Sequence, residues 1–279
     1  MKTVLVPCDF SQQSRAAYRT ALEIVSRTSG KVILLHVLYI PTLYTSSLGG
    51  EAVTFDPVYF TTMEEDARRE LEKMQNDAKA YPVDVKIEVV FGEIISSIKR
   101  MIETSQVDMI VMGTTGASGL SEIFIGSNTE KVVRHASVPV IALRKAVKIS
   151  SVKNILLPST LDLDQSDFIR KVKELQDFFN ATLHILLINT PTNFRRDAEA
   201  GEAMEEFAKH YKLKNYKTHF RNYWHEEDGI ADFAKNEKMD LIAMGTHGVK
   251  GFAHLFLGST TEDVVNHIEI PVWTYSLKK

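Results

Sequence analysis

Short apolar runs alternate with amphipathic stretches along the whole chain. In the first half, runs rich in Val and Ile predict strands at residues 3–7, 31–38, 84–90, 108–112 and 138–143. Such nearly continuous apolar runs are typical of strands that are buried on both faces of a sheet. The stretches between them have helical periodicity, at residues 14–28, 61–80, 93–105 and 127–136. Strands that alternate with helices predict right-handed crossovers and a parallel, doubly wound sheet.

A long repeat divides the chain into two copies. Residues 108–127 read DMIVMGTTGASGLSEIFIGS and residues 240–259 read DLIAMGTHGVKGFAHLFLGS, at an offset of 132 residues. The starts of the two copies, 4–7 and 155–158, are offset by 151 residues, so copy two is 19 residues shorter. The second apolar run keeps the larger offset, which places the loss after it. We expect the extra piece of copy one to be a polar loop at 41–62.

Each copy carries a complete core pattern, and 44% of the 279 residues are apolar. Two complete patterns predict two α/β domains, at 1–146 and 151–279, rather than a solenoid of shorter repeats. Each domain is expected to be a Rossmann-like, doubly wound, parallel five-stranded sheet. Such sheets bind ligands at the carboxyl ends of the strands, where the strand order reverses. The loops after the first and fourth strands are therefore the candidate binding loops.

The composition limits the classes of partner. A formal net charge of −3 provides no basic surface, which argues against nucleic acid or an anionic membrane as the main partner. No stretch approaches the roughly 18 apolar residues of a membrane span. The single cysteine, Cys8, excludes an internal disulfide and fits a reducing compartment. We therefore expect a cytoplasmic protein.

Two matching glycine loops follow the predicted fourth strands. In copy one, Gly113-x-x-Gly116 is separated by nine residues from Gly126-Ser127. Copy two repeats this spacing with Gly245, Gly248, Gly258 and Ser259. Glycines permit positive φ and let backbone N–H groups approach a ligand closely. A helix that starts after such a loop presents N–H donors and a positive dipole end to a phosphate.

A purely structural explanation of these loops stays open. The glycines could simply form tight turns, and Ser127 with Glu130, like Ser259 with Glu262, fits the S-x-x-E capping box of a helix start. The repetition of the whole pattern after matching strands favours phosphate binding. The loop is not a Walker A loop, since no Gly-Lys-Ser/Thr follows it.

The spacing G-x2-G-x9-G-[S/T] resembles the nucleotide-loop motif of the ATP-binding universal stress proteins, and both copies match it. The first strand of that family, with its P-x-D turn, resembles residues 4–9, and its last strand resembles Val-Pro-Val at 138–140 and Ile-Pro-Val at 270–272. The similarity covers the chain except 41–62 and its shortened counterpart. It implies a Rossmann-like fold of the adenine-nucleotide alpha-hydrolase type. It also implies a regulatory or stress-response module that binds ATP, ADP or AMP, with magnesium.

The resemblance also implies the residues that contact the nucleotide. The adenosine contacts map to Pro7, Cys8, Asp9 and Val37, and those of phosphate and ribose to Met112, Gly113, Thr115, Gly116, Gly126, Ser127, Asn128 and Thr129. The corresponding residues of the copy-two loop are Met244, Gly245, Gly248, Gly258, Ser259 and Thr260. Asp9 suits an acceptor for donors of the ribose or adenine. An Asx turn or a cap of the following helix is the alternative role for this side chain.

Copy two departs from this pattern at the first turn. Its counterpart of P-x-D is Pro158-Ser159-Thr160, which lacks the carboxylate. Asp162 would substitute for Asp9 only if the turn differed. Trp224 replaces Gly92, and its ring could block the pocket, stack on a base or lie half-buried at the surface.

The charged residues of the two glycine loops favour copy two as the phosphate site instead. Copy two carries the basic residues His247, Lys250 and His254, whereas the copy-one loop carries Glu122 and no cation. These residues favour phosphate binding in copy two. Backbone donors and a bound magnesium also neutralise phosphate, however, while the missing carboxylate removes recognition of the base or ribose. We therefore expect the nucleotide in copy one.

Three classes of function fit these features: a nucleotide-binding regulatory module, an enzyme such as a slow ATPase, and a nucleotide-independent interaction protein. An enzyme is disfavoured by the lack of an H-x-G-H transfer signature and of a base beside a nucleophile. No arginine is placed to stabilise a transferring phosphoryl group. Arg134 lies about two turns into its predicted helix, and a surface position is favoured for it. The spacing of His219, His225, His247 and His254 matches no zinc pattern. Cys8 could sense oxidation, although a packing role is more common at a strand end.

Assembly follows from the resemblance as well. Domains of this family pair through their last strands, here 138–143 and 270–275. An exposed apolar edge strand must be covered, and two copies in one chain can cover each other. We expect an intramolecular pseudo-dimer, with further dimerisation of the whole chain.

Overall fold

Alternating strands and helices form both copies in a computed structural model that describes residues 1–39, 57–114, 126–247 and 269–277. Copy one contains β1 (Thr3–Pro7), α1 (Gln12–Ser26), β2 (Lys31–Leu38), α2 (Pro57–Asp77), β3 (Asp84–Phe91), α3 (Ile94–Ser105), β4 (Met109–Gly113), α4 (Ser127–His135) and β5 (Val140–Leu143). Copy two contains β6 (Asn154–Pro158), α5 (Ser166–Phe179), β7 (Thr182–Asn189), α6 (Asp197–His210), β8 (Tyr216–Asn222), α7 (Glu226–Asn236), β9 (Leu241–His247) and β10 (Val272–Leu277). The predicted elements of copy one are all present.

All ten strands belong to one sheet, in the order β3-β2-β1-β4-β5-β10-β9-β6-β7-β8. Neighbouring strands are parallel within each copy, and copy two repeats the strand order of copy one in reverse. The prediction of doubly wound parallel α/β sheets is confirmed. The two five-stranded halves are continuous, however, because β5 pairs with β10.

The pairing of β5 with β10 is antiparallel and joins the two copies. Trp273 lies opposite Ile141, between Val272 opposite Ala142 and Thr274 opposite Val140. As predicted, the last strand of each copy covers the edge of the other. Dimerisation of the whole chain stays a prediction.

Helices cover both faces of the sheet because successive strand residues point to opposite sides. In β1, Val4 and Val6 pack in a core with the apolar side chains of α1 and α2. Leu5 packs on the other face with Ile98 of α3 and Val132 of α4. All five residues of β1 are buried, which explains why its sequence is continuously apolar rather than alternating.

Matching aspartates hold the amino ends of the central strands. The Oδ2 atom of Asp108 accepts hydrogen bonds from the backbone N–H groups of Lys2 and Thr3, at 2.6 and 3.0 Å. Asp240 accepts from the backbone N–H groups of Lys153 and Asn154, both at 2.9 Å. The repeated phrase of the sequence therefore begins with a residue that has the same structural role in each copy.

The extra residues of copy one are not confined to a loop. The helix α2 has 21 residues, against 14 in α6, and the connection before it is also longer in copy one. The predicted loop at 41–62 is therefore wrong for residues 57–62, which form the start of α2. The remainder, 41–56, lies outside the described residues.

Within the ranges that the structure describes, no helix is both long and apolar enough to cross a membrane.

Candidate functional site

A cavity of about 610 Å³ opens at the carboxyl ends of the copy-one strands. The chain runs outwards from β1 through β2 to β3 and then returns to place β4 on the other side of β1. The cavity lies at this reversal, where doubly wound sheets bind their ligands. Its described lining comes from the ends of β1, β2 and β4, the turn after β3 and the start of α4.

Ten residues predicted from the resemblance line this copy-one cavity together. They are Pro7, Cys8, Asp9, Val37, Met112, Gly113, Gly126, Ser127, Asn128 and Thr129. Six others, Thr115, Gly116, Gly248, Gly258, Ser259 and Thr260, lie outside the described residues. Met244 and Gly245 belong to β9.

The turn after β1 directs Asp9 towards the cavity. The backbone N–H of Cys8 extends the pairing with β2 by donating to the carbonyl of Leu35, at 2.8 Å. The chain then reverses at Phe10, which has a φ of 64°. The Oδ1 atom of Asp9 accepts a hydrogen bond from the N–H of Ser11 at 3.1 Å. Asp9 therefore forms the Asx turn considered from the sequence, and its carboxylate also lines the cavity.

Ser11, rather than Asp9, caps the helix α1. Its side-chain oxygen accepts from the backbone N–H of Ser14, at 3.1 Å. Asp9 and Ser11 have separate roles, because an Asx turn and an N-cap each need one short polar side chain. Ser11 and Ser14 also line the cavity, although neither was predicted to do so.

Gly113 ends β4 where α1 approaches the strand. A Cβ atom at this position would lie 2.6 Å from the Cβ atom of Gln13 and 2.9 Å from its backbone carbonyl carbon. The absence of a side chain is therefore required by the contact between helix and strand. Of the two properties considered for the loop glycines, Gly113 does not use positive φ, since Gly92 is the glycine with positive φ in the described part of the chain.

We expect Gly113→Ala to lower the free energy of unfolding by about 1–3 kcal/mol, because the added methyl group has to displace α1. Gly201→Ala is the matched control. A Cβ at Gly201 meets no atom within 4 Å, and in the middle of α6 alanine should stabilise by about 0.5–1 kcal/mol. Urea denaturation of both variants measures the difference. Equal effects of the two substitutions would contradict the close contact with Gln13.

The helix α4 begins at the other side of the cavity. Gly126 occupies the N-cap position with a φ of −59°, and Ser127 is the first helical residue. The predicted capping box is therefore wrong, and Glu130 instead pairs with Arg134 at 2.6 Å. Since a glycine cap has no side chain to accept from the first turn, those N–H groups are suited to an acceptor from the cavity.

Two hydrogen bonds hold the start of α4 against β4. The hydroxyl of Thr129 donates to the carbonyl of Gly113 at 2.8 Å. The backbone N–H of Gly126 donates to the carbonyl of Thr114 at 2.6 Å. Thr129 is buried at 3% exposure, so its main contribution is to position the helix.

Sequence reasoning missed the lining that lies outside the motif. These residues are Ser11, Ser14, His36, Tyr39, Gly92, Glu93, Ile94 and Lys131. The turn at Gly92, with a φ of 140°, places the start of α3 beside the end of β2. His36 lies at 2.7 Å, through Nδ1, from the carbonyl oxygen of Cys8. The signals available were a glycine directly after the third strand and a lysine four residues after Ser127.

Cys8 contributes a buried sulfur to the cavity wall. The side chain is 5% exposed, and its Sγ lies 3.6 Å from both the hydroxyl of Ser14 and the sulfur of Met74. Burial raises the pKa of the Cys8 thiol, which disfavours the reactive thiolate. These contacts favour the packing role over oxidation sensing.

At the equivalent position in copy two, the described residues line a cavity of about 10 Å³, bounded in part by Pro158, Ser159 and Thr160. Residues 248–268 of copy two, which include its glycine loop, lie outside the described residues. The turn after β6 has the geometry of the copy-one turn, since Leu161 has a φ of 67°. The backbone N–H of Leu161 donates to the Oγ of Ser159 at 3.0 Å.

Asp162 does not replace Asp9 in this turn. Its Oδ2 accepts from the hydroxyl of Thr160 at 2.7 Å and from the side-chain amide of Gln165 at 3.3 Å. Because the turn does not differ between the copies, Asp162 takes the chain position of Ser11. Its carboxylate is bound within the loop.

The connection after β7 packs against the turn after β6. The side-chain oxygen of Asn189 accepts from the backbone N–H of Arg195 at 2.7 Å. The guanidinium of Arg195 lies 3.4 Å from the carbonyl of Thr160, and Asn193 lines the small cavity. Trp224 is 80% exposed, so the ring lies at the surface and is more exposed than the half-buried alternative.

The other candidate residues lie away from the copy-one cavity. His219 stacks on His184, with 3.0 Å between the Nε2 of His219 and the Nδ1 of His184. Burial lowers the pKa of both imidazoles. Among the described residues, no group of three or more His, Cys, Asp or Glu side chains is arranged to hold a metal ion. Arg134 is exposed beside Glu130 and does not line the cavity.

A family model and the similar sequences of known proteins all indicate the same family. The model of the universal stress protein family matches residues 1–144 and 151–276. A universal stress protein of Synechocystis is 22% identical over 296 residues, covering 99% of this chain and all of the relative. One from Methanocaldococcus jannaschii is 27% identical over 147 residues, covering 53% of this chain and 84% of the relative.

A solved structure agrees with the fold. The crystal structure of a universal stress protein from Archaeoglobus fulgidus superposes with a TM-score of 0.73 at 21% identity, and the match covers 98% of this chain and 96% of that protein. At this identity the likeness concerns the fold alone. Because the family model matches both copies over nearly their whole length, the chain belongs to the universal stress protein family.

Proposed function

We propose that this chain is an adenine-nucleotide-binding regulatory module of the stress response, with ATP, ADP or AMP held in copy one. The observation that carries the proposal is the cavity of about 610 Å³ at the copy-one strand ends, against one of about 10 Å³ that the described residues line at the ends of β6 and β7. A cavity at the reversal of strand order, with a helix start in its wall, is suited to a phosphorylated ligand.

The shape of the copy-one cavity supports a nucleotide in one orientation. Its lining comes from the ends of β2, β1 and β4 and from the turn directly after β3, and these four strands are adjacent in the sheet. Three strand spacings of about 4.8 Å give a span of about 14 Å, which accommodates a nucleoside and its phosphates lying across the strand ends. The phosphates are placed at the start of α4 because free N–H groups and the helix dipole attract anions there.

The base is then placed at the ends of β2 and β3. Val37 and Ile94 are partly buried there and provide apolar surface, and the 67% exposed ring of Tyr39 lies at the rim. The carboxylate of Asp9 lies between the two ends of the cavity along the strand order. It is suited to accept hydrogen bonds from ribose hydroxyls, as the resemblance implies.

Magnesium is proposed to accompany the phosphates. The described lining carries two carboxylates, Asp9 and Glu93, and one lysine, Lys131. A polyphosphate therefore needs additional positive charge, which Mg²⁺ supplies while it keeps several of its water ligands. Thr115 and Gly116 complete the proposed set of binding residues through their place in the glycine motif.

Copy two is proposed to act without nucleotide. The small cavity that its described residues line is accompanied by two exposed aromatic side chains, Phe194 at 72% and Trp224 at 80% exposure. These features fit a domain that presents a surface to a partner, which is the second candidate function for the chain. The domain bounds 1–146 and 151–279, a cytoplasmic location and a homodimer remain predictions from the sequence.

The test is a titration of ATP–Mg into the native chain by calorimetry, with the hydrolysis of ATP followed in the same samples. We expect one site per chain. Gly126→Val locates that site: the added side chain at the start of α4 should weaken ATP binding because Gly126 lines the copy-one cavity. Two sites per chain, or one site whose affinity Gly126→Val leaves unchanged, would contradict the proposal. No binding would favour the interaction protein.

A further inference from the structure

Lys131 is the one lysine or arginine in the described lining of the copy-one cavity. It lies in α4, four residues after Ser127, which also lines the cavity. Residues four apart lie on the same face of a helix. The helix that offers its N–H groups to the cavity therefore presents a cation on the same face.

The direction of helical side chains brings this cation towards the helix start. Four residues rise about 6 Å along a helix, and side chains tilt towards the N-terminus. The flexible four-carbon stem of lysine is long enough to cover that rise. The ammonium of Lys131 can therefore reach the level of Ser127, where the phosphates are proposed to lie.

Lys131 is not engaged by its neighbours on α4. The adjacent Glu130 pairs with Arg134 at 2.6 Å, and among the described residues no ion pair includes Lys131. The side chain is exposed, so it is available to a ligand without first breaking a salt bridge.

Charge is distributed unequally along the copy-one cavity. Asp9 and Glu93 follow β1 and β3, whereas Lys131 lies at the α4 end. The carboxylate of Glu93 accepts from the hydroxyl of Ser96 at 3.0 Å, which holds it at the start of α3. Such a polarity favours a ligand that is neutral at one end and strongly anionic at the other.

The second copy of the repeat does not keep this lysine. The sequence TEKVV at 129–133 corresponds to TEDVV at 261–265. The residue that corresponds to Lys131 is Asp263, which has the opposite charge. Copy two, whose described residues leave a cavity of about 10 Å³, thus lacks the cation that copy one carries.

We propose that Lys131 is a specificity-determining residue that makes the copy-one cavity select nucleoside di- and triphosphates over monophosphates and nucleosides. The inference rests on the proposed function and specifies its ligand class. Backbone N–H groups discriminate weakly among phosphates. The ammonium of Lys131 is attracted more strongly by a di- or triphosphate, because each added phosphate brings further negative charge to the start of α4.

The test compares the affinities of ATP, ADP, AMP and adenosine for the full chain, Lys131→Gln and Lys131→Asp. We expect Lys131→Gln to lower the affinity for ATP and ADP about fivefold, which corresponds to the loss of one exposed ion pair. The affinity for AMP should fall less, and the affinity for adenosine should be unchanged. Lys131→Asp should weaken ATP further, and high salt should reduce the difference between wild type and Lys131→Gln because the charges are screened.

Lys99→Gln is the matched control, since Lys99 is an exposed lysine of α3 outside the cavity lining and its loss changes the net charge equally. The inference is overturned if Lys131→Gln weakens all four ligands equally, or if it behaves like Lys99→Gln. A wild-type chain that binds none of the four ligands would overturn the proposed function instead. The two failures are therefore distinguishable.

Discussion

Replacement of Trp273 by alanine is expected to lower the free energy of unfolding by about 3–5 kcal/mol, because it removes a large side chain from a packed core. Trp273 is 1% exposed and is the largest fully buried side chain among the described residues. It lies on β10 opposite Ile141 of β5, and its ring is 6.2 Å from that of Phe168. The substitution should therefore weaken the junction between the two copies.

The two tryptophans of the sequence provide a matched pair. Trp224 is 80% exposed, so Trp224→Ala should change stability by no more than about 0.5 kcal/mol. Urea denaturation followed by circular dichroism measures both variants without relying on tryptophan fluorescence. A similar small effect at both positions would show that Trp273 does not lie in the core.

A third variant separates packing from hydrogen bonding. Within the described part of the chain, the indole nitrogen of Trp273 is buried without a hydrogen-bond partner. Trp273→Phe removes this unsatisfied donor and keeps an aromatic ring, so the loss of packing is partly offset. We expect a smaller destabilisation than for alanine. A phenylalanine variant as unstable as the alanine variant would indicate that the indole nitrogen has a partner in solution.

The second large effect is expected at Asp9. Asp9→Asn should weaken ATP binding about ten- to a hundredfold, since a hydrogen bond to a charged group contributes about 1.5–3 kcal/mol. Asparagine keeps the oxygen that accepts from the N–H of Ser11. The turn and the start of α1 are thus retained, and calorimetric titration of the variant reports the loss of the carboxylate alone.

Ser159→Ala in copy two is the control for the turn itself. Its hydroxyl accepts from the N–H of Leu161, as the carboxylate of Asp9 accepts from Ser11. The substitution should cost about 1 kcal/mol of stability and leave ATP affinity unchanged. If Asp9→Asn binds ATP with the affinity of the wild type, the carboxylate of Asp9 serves only to form the turn. Weaker binding by Ser159→Ala would place nucleotide in copy two.

The fold could be predicted from the sequence because its strands are buried on both faces. Such strands carry nearly continuous apolar residues, as in TVLVP of β1 and NILLP of β6, and the pattern is visible without tertiary information. The family resemblance then implied that the last strands of the two copies would meet. The continuity of the ten-stranded sheet follows from that contact.

The details of the site depend on competition between neighbouring side chains. Ser127 and Glu130 have the spacing of a capping box, but Arg134 lies one turn after Glu130 and pairs with it. Gly113 fits a ligand motif, yet its close contact is with Gln13 of α1. Neither outcome is encoded in a short motif, because each depends on which of two partners lies closer in space.

The contact between the connection after β7 and the turn after β6 could not be predicted from a motif either. It depends on Asn189 and Arg195, which hold that connection beside Thr160. Lys131 was missed for a related reason, since the motif ends at Ser127 while the helix face continues along the cavity. Loop conformation and helix direction decide both results, and they require the folded chain.

The antiparallel pairing of β5 with β10 has a consequence for communication within the molecule. All strands of copy one run in one direction and all strands of copy two in the other. The copy-one cavity and the loops that carry Phe194 and Trp224 therefore open towards opposite margins of a single sheet. A protein docked on one margin cannot contact a nucleotide that is bound at the other. Signal transfer between them would have to cross the junction of the copies, where β5 pairs with β10 and one hydrophobic core contains buried side chains of both copies.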